Sequence, residues 1–124
     1  MQNAFPAANI DIFGVHVINS DLNEFHISIN VPVNAEIHFQ NLEKALNSCK
    51  NSNAEKCFFH ILQKPCTTFI GKALLFYKDF SENLKHEVSI VYYDEETKRL
   101  LDILKLGAIF NIYSKECFEK RSIA

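Results

Sequence analysis

The sequence lacks several features by which functional classes are commonly recognised. It has no tryptophan, only three glycines in 124 residues, and neither a P-loop nor a G-x-G-x-x-G motif. A glycine-rich loop that cradles phosphate is therefore excluded. Its four cysteines include no C-x2-C pair, so the usual zinc spacing is absent. Lys and Arg total 13 against 15 Asp and Glu. Without a basic excess, the composition argues against nucleic-acid binding.

Two further absences concern location. No apolar run approaches the roughly 18 residues of a membrane span, which argues against membrane insertion. The start Met1-Gln2-Asn3 has neither the basic nor the apolar region of a signal peptide. Cys57 lies within an apolar run, where a reduced thiol behaves as a small hydrophobic residue. Together these features predict a cytoplasmic protein, and no residue set indicates a metal or a cofactor.

What is present predicts one folded domain. Hydrophobic residues make up 48% of the chain and charged residues 23%, as in ordinary globular proteins. We expect a flexible arm over residues 1–9 and a domain over 10–124. Apolar runs and alternation predict strands at 10–18, 24–31, 57–62, 88–93 and 108–113.

Apolar stripes and capping residues place four helices between and after these strands. The first is capped by Asn34, the second begins near Thr68, the third runs from its cap Asp94 to a left-handed Gly107, and the last covers 115–121. This order predicts a single-domain α/β fold. Its sheet is mixed but mostly parallel, with an N-terminal antiparallel hairpin and crossover helices.

Residues 24–31 alternate between apolar and polar side chains, which predicts a half-exposed strand with His26 and Ser28 on its polar face. His60 lies in the apolar run of another strand, so we expect a hydrogen-bonded, buried or semi-buried histidine there. His16 and His26 can lie near each other on the hairpin, but no carboxylate partner for them is evident. The histidines therefore indicate no catalytic set.

The loop Gln63-Lys64-Pro65-Cys66-Thr67-Thr68 leaves a predicted strand and enters a helix, which is where function gathers in such sheets. Thr67 or Thr68 can cap the helix, be phosphorylated, or both. Cys66 raises the alternative of a thiol enzyme. Thiol phosphatases, however, need C-x5-R, and the matching position here is Lys72. Lys lacks the planar fork of Arg, so the sequence favours no catalytic residue.

Two segments resemble the STAS family, specifically its stand-alone anti-sigma-factor antagonists. C-T-T-F-I-G-K-A-L-L at 66–75 is similar to the family's D-S-S/T-G-L-G-x-x-L stretch, and K-R-L-L-D-I-L-K-L at 98–106 to its third helix. The resemblance runs from about Phe25 to Phe118. It departs from the family at Cys66, which stands for Asp, at Phe69, which stands for Gly, and at 31–34, where V-P-V-N stands for G-x-x-D.

The resemblance implies a non-enzymatic switch that binds an anti-sigma factor of the serine/threonine protein kinase type. Thr68 matches the serine that such a kinase phosphorylates, and Thr67 matches the residue before it. We expect an exposed Phe69 to anchor the partner, rimmed by Lys64 and Lys72. The implied binding surface comprises Asn34, Lys64, Pro65, Cys66, Phe69 and Lys72. STAS proteins also serve as accessory subunits of lipid-transport ATPases, which is the alternative partner class.

Overall fold

Strands and helices alternate along the chain from Glu24 onward. The computed structural model describes residues 15–19, 23–31, 33–52, 54–62, 67–83 and 87–123. The predicted arm at 1–9 lies outside them. The strands within these ranges are β1 (Val15–Asn19), β2 (Glu24–Ile29), β3 (Lys56–Ile61), β4 (Glu87–Tyr92) and β5 (Asn111–Ser114). The α-helices are α1 (Glu36–Lys50), α2 (Thr67–Tyr77), α3 (Glu95–Ile103) and α4 (Lys115–Ile123).

The strands form one sheet in the order β1-β2-β3-β4-β5. β2, β3, β4 and β5 are mutually parallel, as the alternation of strands and helices predicts. The chain is thus an α/β protein with a parallel four-stranded unit. β1 pairs antiparallel with β2, with Val15 opposite Ile29 and a register shift between Val17 and Asn19. Residues 20–22, which join these two strands, are outside the described ranges.

The third helix begins as predicted but ends earlier. Asp94 caps α3 by accepting a hydrogen bond from the backbone N–H of Thr97 at 2.8 Å. The left-handed residue after the helix is Lys105, with φ 56°, so the prediction of Gly107 was wrong. Because the chain turns at Lys105, Leu106–Ala108 form a 3-10 turn, and β5 starts at Asn111 instead of 108.

The sheet face covered by α1, α2 and α3 is apolar throughout. Odd-numbered residues of β2 and β3 point to it, and they pack with the inward stripes of the helices in one buried cluster. α1 contributes Leu42, Leu46 and Cys49, whose spacings of four and three residues place them on one face of the helix. The sheet residues in the buried cluster are Phe25, Ile27, Ile29, Cys57, Phe59, Ile61, Val88 and Ile90.

The opposite face of the sheet carries polar and aromatic side chains and is buried as well. His26, Ser28, Phe58, His60 and Ser89 are each at most 7% exposed. The prediction of a half-exposed strand at 24–31 was therefore wrong. The reason is tertiary, since α4 packs on β4 and β5 on this face and its residue Phe118 contacts the rings of β2 and β3.

Candidate functional site

The carboxyl ends of the parallel strands β2, β3 and β4 share one edge of the sheet, and each leads into the next helix there. Function gathers at this edge in α/β sheets. Lys64, Pro65 and Cys66 lie outside the described residues. α2 begins at Thr67, close to the predicted start, but the side chains of Thr67 and Thr68 are also outside what the structure describes.

Phe69 belongs to the core and not to the surface. Its side chain is 0% exposed and packs edge-on against Phe59, with ring centroids 5.6 Å apart. The prediction that Phe69 is an exposed anchor was therefore wrong. The spacing explains it, because Phe69, Ala73 and Phe76 lie four and three residues apart on the inward face of the helix.

The exposed apolar residue of α2 is Leu75, at 71%. The sequence A-L-L-F-Y at 73–77 contained the signal for it, since five successive apolar residues cannot all share one helix face. Gly71 is also exposed, and a Cβ built on it would have no neighbour within 4 Å. The outer face of α2 therefore offers a large apolar side chain together with bare backbone.

Two ion pairs join α1 to this part of the chain, one at α2 and one at the π-helical segment Lys78–Asn83 that directly follows α2. Lys72 Nζ lies 3.2 Å from a carboxylate oxygen of Glu43, and Lys50 Nζ lies 2.7 Å from one of Asp79. Between the two helices runs an open groove of about 200 Å³. We call this the α1–α2 groove; it is lined by Glu43, Leu46, Lys50, Lys72, Leu75, Phe76 and Asp79. Both signs of charge flank it, so it has no preference for an acidic or a basic ligand.

Asn34 is exposed but does not cap α1. The cap residue is Ala35, and the Nδ1 atom of His38 accepts hydrogen bonds from the backbone N–H groups of Asn34 and Ala35, both at 3.3 Å. The predicted capping role of Asn34 was therefore wrong. Val33, just before it, is fully buried with φ 61°. A β-branched residue is strained in this region, so burial holds the entry to α1 in place.

The buried histidine predicted at position 60 is confirmed, since His60 is 1% exposed and hydrogen-bonded to His26 and Tyr93. The expectation that His26 has no carboxylate partner was wrong, because Glu24 lies beside it. Glu24 and His26 are two residues apart on one strand, so they share a face. That spacing was the signal in the sequence. The hydrogen bond between His26 and His60 depends on the register of β2 and β3, so the sequence did not predict it.

The described thiols divide into two buried and one exposed. Burial, and to a smaller extent a hydrogen bond with the Cys49 thiol, raises the pKa of Cys57, so Cys57 is not a ready nucleophile. Cys117, on α4, is exposed. In the described part of the chain, no three His, Cys, Asp or Glu side chains converge to hold a metal ion. None of the described helices has the length and apolar character needed to cross a bilayer.

No protein-family model matches the chain, and comparisons with curated proteins and with solved structures found no match.

Proposed function

We propose that this chain is a non-enzymatic, STAS-like protein-binding regulator that docks its partner on the outer face of α2 and the α1–α2 groove. The partner would be an anti-sigma factor of the serine/threonine protein kinase type, acting in the cytoplasm. The observation that carries the proposal is Leu75, a large apolar side chain left 71% exposed on a helix that is otherwise well packed. Apolar side chains surrounded by charged groups are typical of interface centres.

The order of the sheet supports the fold part of the proposal. Four parallel strands follow one another in sequence order, and each connection between them contains one α-helix. This is the arrangement that the resemblance over 25–118 implies. The helix that begins at Thr67 starts at the carboxyl end of the sheet, where the resemblance locates the regulatory threonines.

Gly71 adds an argument from energetics. Glycine inside a helix costs about 1 kcal/mol relative to alanine. Nothing within the described structure requires a glycine at position 71, because a Cβ at this position meets open space. A glycine that the fold does not need is explained by a partner that approaches the backbone closely.

The exposed leucine provides the first test. Leu75→Glu should weaken binding to the cognate anti-sigma-factor kinase at least tenfold, because a charge would be buried at the centre of the interface. Isothermal titration calorimetry with the purified kinase measures this. Ile103→Glu is the matched control, since Ile103 is 68% exposed on α3, away from the groove. Equal effects of the two substitutions would contradict the assignment of the surface.

Gly71→Ala separates docking from stability. It should raise the free energy of unfolding by about 1 kcal/mol through helix propensity, while it lowers partner affinity through a steric clash. Urea unfolding and the same calorimetric titration measure the two effects. A more stable variant with unchanged affinity would show that the partner does not approach α2 closely.

Phosphorylation of Thr68, or of Thr67, remains our proposal for regulation. Negative charge is tolerated at a helix N-terminus but opposes docking of an apolar surface. Incubation with the kinase and mass spectrometry should locate phosphate there, and Thr68→Glu should reduce affinity where Thr68→Ala does not. Phosphate at neither threonine, with unchanged affinity in both variants, would leave a binding module without the switch.

The alternatives are decided by two further measurements. A nucleotide-binding subunit of a lipid-transport ATPase, used in place of the kinase, tests the accessory-subunit reading of the same surface. The rate of Cys66 alkylation against pH tests the thiol enzyme. A thiol pKa near the ordinary 8.5 agrees with a binding protein, whereas one below about 6.5 would favour a nucleophile.

A further inference from the structure

Four side chains form a continuous line of hydrogen bonds on the sheet face that α4 covers. Glu24 Oε1 lies 3.1 Å from His26 Nε2, and His26 Nδ1 lies 2.7 Å from His60 Nε2. His60 Nδ1 lies in turn 2.9 Å from the hydroxyl of Tyr93. Both histidines are buried, at 7% and 1% exposure. Each ring nitrogen of the pair thus has a partner, and the line crosses from β2 through β3 to the end of β4.

When Glu24 is ionised and both imidazoles are neutral, the direction of each hydrogen bond in the line follows from the carboxylate. An ionised glutamate only accepts, so His26 donates from Nε2 to Glu24 and, being neutral, accepts at Nδ1. His60 must then donate from Nε2 to His26 and accept at Nδ1, which leaves the Tyr93 hydroxyl as the donor. Both histidines are therefore Nε2–H tautomers.

The pair can take up one proton without breaking the line. When a proton binds His60 Nδ1, the proton on its Nε2 passes to His26 Nδ1. His26 becomes an imidazolium beside the Glu24 carboxylate, and His60 remains neutral, donating from Nδ1 to the Tyr93 oxygen. A second proton would put hydrogen on both of the nitrogens that face each other at 2.7 Å, and the hydrogen bond between the two imidazoles would then be lost.

Charged and titratable groups from the neighbouring elements shape this site. β2 supplies Glu24, and β3 places Lys56 at the register position opposite it. Burial, and then the charge of Glu119 on α4, raises the pKa of Tyr93 and keeps its hydroxyl protonated. β5 brings the ring of Tyr113 against Phe58. β1 places His16 at the register position opposite Ser28.

α4 reaches this line through one aromatic side chain. The ring of Phe118 lies edge-on to His60, His26 and Phe58, with centroid distances of 5.0, 5.7 and 5.4 Å. Separation of the two imidazoles would disturb the surface on which this ring sits. Loss of the bond between the two imidazoles would therefore weaken the contact of α4 with the sheet.

We propose that the His26–His60 pair is a proton-sensitive latch. The folded protein accepts one proton in addition to those of the two neutral imidazoles, and a second additional proton releases Phe118 and α4 from the sheet. The proposal is independent of partner binding, because it concerns the covered face of the sheet and not the α1–α2 groove.

Nitrogen NMR of histidine-labelled wild-type protein tests the latch directly. At pH 7.5 the shifts of His26 and His60 should both report Nε2–H tautomers. As the pH falls, the pair should gain one proton while α4 keeps its amide protection. Protection of the α4 amides, corrected for intrinsic exchange, should then drop at least tenfold before that of the β3 amides. Two imidazolium rings in a protein whose α4 stays protected would overturn the proposal.

Unfolding equilibria supply the second arm. An unfolded chain binds two protons at these histidines below about pH 6, whereas the folded pair binds one. The unfolding constant should therefore rise about tenfold more per pH unit between pH 6 and 4.5 in wild type than in His60→Gln, which keeps one imidazole. An unchanged slope in His60→Gln would refute the latch, and should that variant not fold, the wild-type NMR titration decides.

Discussion

The two faces of the sheet are equally buried but are held by different physics. On the face under α1, α2 and α3, the contacts are apolar and non-directional. On the face under α4, the ring of His26 stacks on Phe58 at 4.8 Å, and its nitrogens join the line from Glu24 to Tyr93. Apolar packing is indifferent to pH, whereas a buried polar line is stable only while every member is paired. Burial alone therefore does not determine which face of the sheet is sensitive to pH.

The largest expected loss of stability comes from a substitution on the apolar face of the sheet. Phe69→Ala should lower the free energy of unfolding by about 3–5 kcal/mol, because it removes a fully buried ring packed on Phe59 and leaves a cavity. Urea unfolding at pH 7.5 measures this. Leu75→Ala, on the outer face of the same helix, should change stability by less than about 0.5 kcal/mol. Similar losses from both would mean that the two sides of α2 are not distinguished as described.

A smaller effect is expected on the polar face. His60→Phe keeps a ring but deletes the hydrogen bonds to His26 and Tyr93, and it should cost about 2 kcal/mol at pH 7.5. The same denaturation assay measures it. Tyr93→Phe removes only the end of the line and should cost about half as much, since Tyr93 is half-buried. A neutral His60→Phe would show that the face is held by its aromatic contacts alone.

The smallest effect appears at alkaline pH. Burial and then the charge of Glu119 raise the pKa of Tyr93. Above about pH 10 the unfolded chain loses this phenolic proton while the folded protein keeps it. The free energy of unfolding should therefore fall as the pH rises past this value. Tyr93→Phe should lose less stability between pH 9.5 and 11 than wild type. Parallel curves for the two proteins would argue against Tyr93 as a protonated donor.

Much of the framework was readable from local pattern. The alternation of strands and helices from Glu24 onward, the parallel pairing and the Asp94 cap follow from periodicity and capping chemistry, which act within a few residues. The candidate surface was predicted less well. From the sequence we located the surface at the start of α2 but predicted Phe69 as its exposed residue. The inward face of a helix moves when the assignment of its apolar stripe shifts by one residue, so the exposed residue was predicted wrongly.

The order of the elements, the apolar stripe of α1 and the start of α3 were determined by the sequence itself, because each depends on contacts between residues at most a few positions apart. Tertiary structure alone decided two other features: the burial of His26 beneath α4 and the register that sets Ser28 beside His60. The physical reason is distance along the chain. His26 and His60 are 34 residues apart, and their hydrogen bond exists only once two strands pair in one register and a helix from the end of the chain covers them.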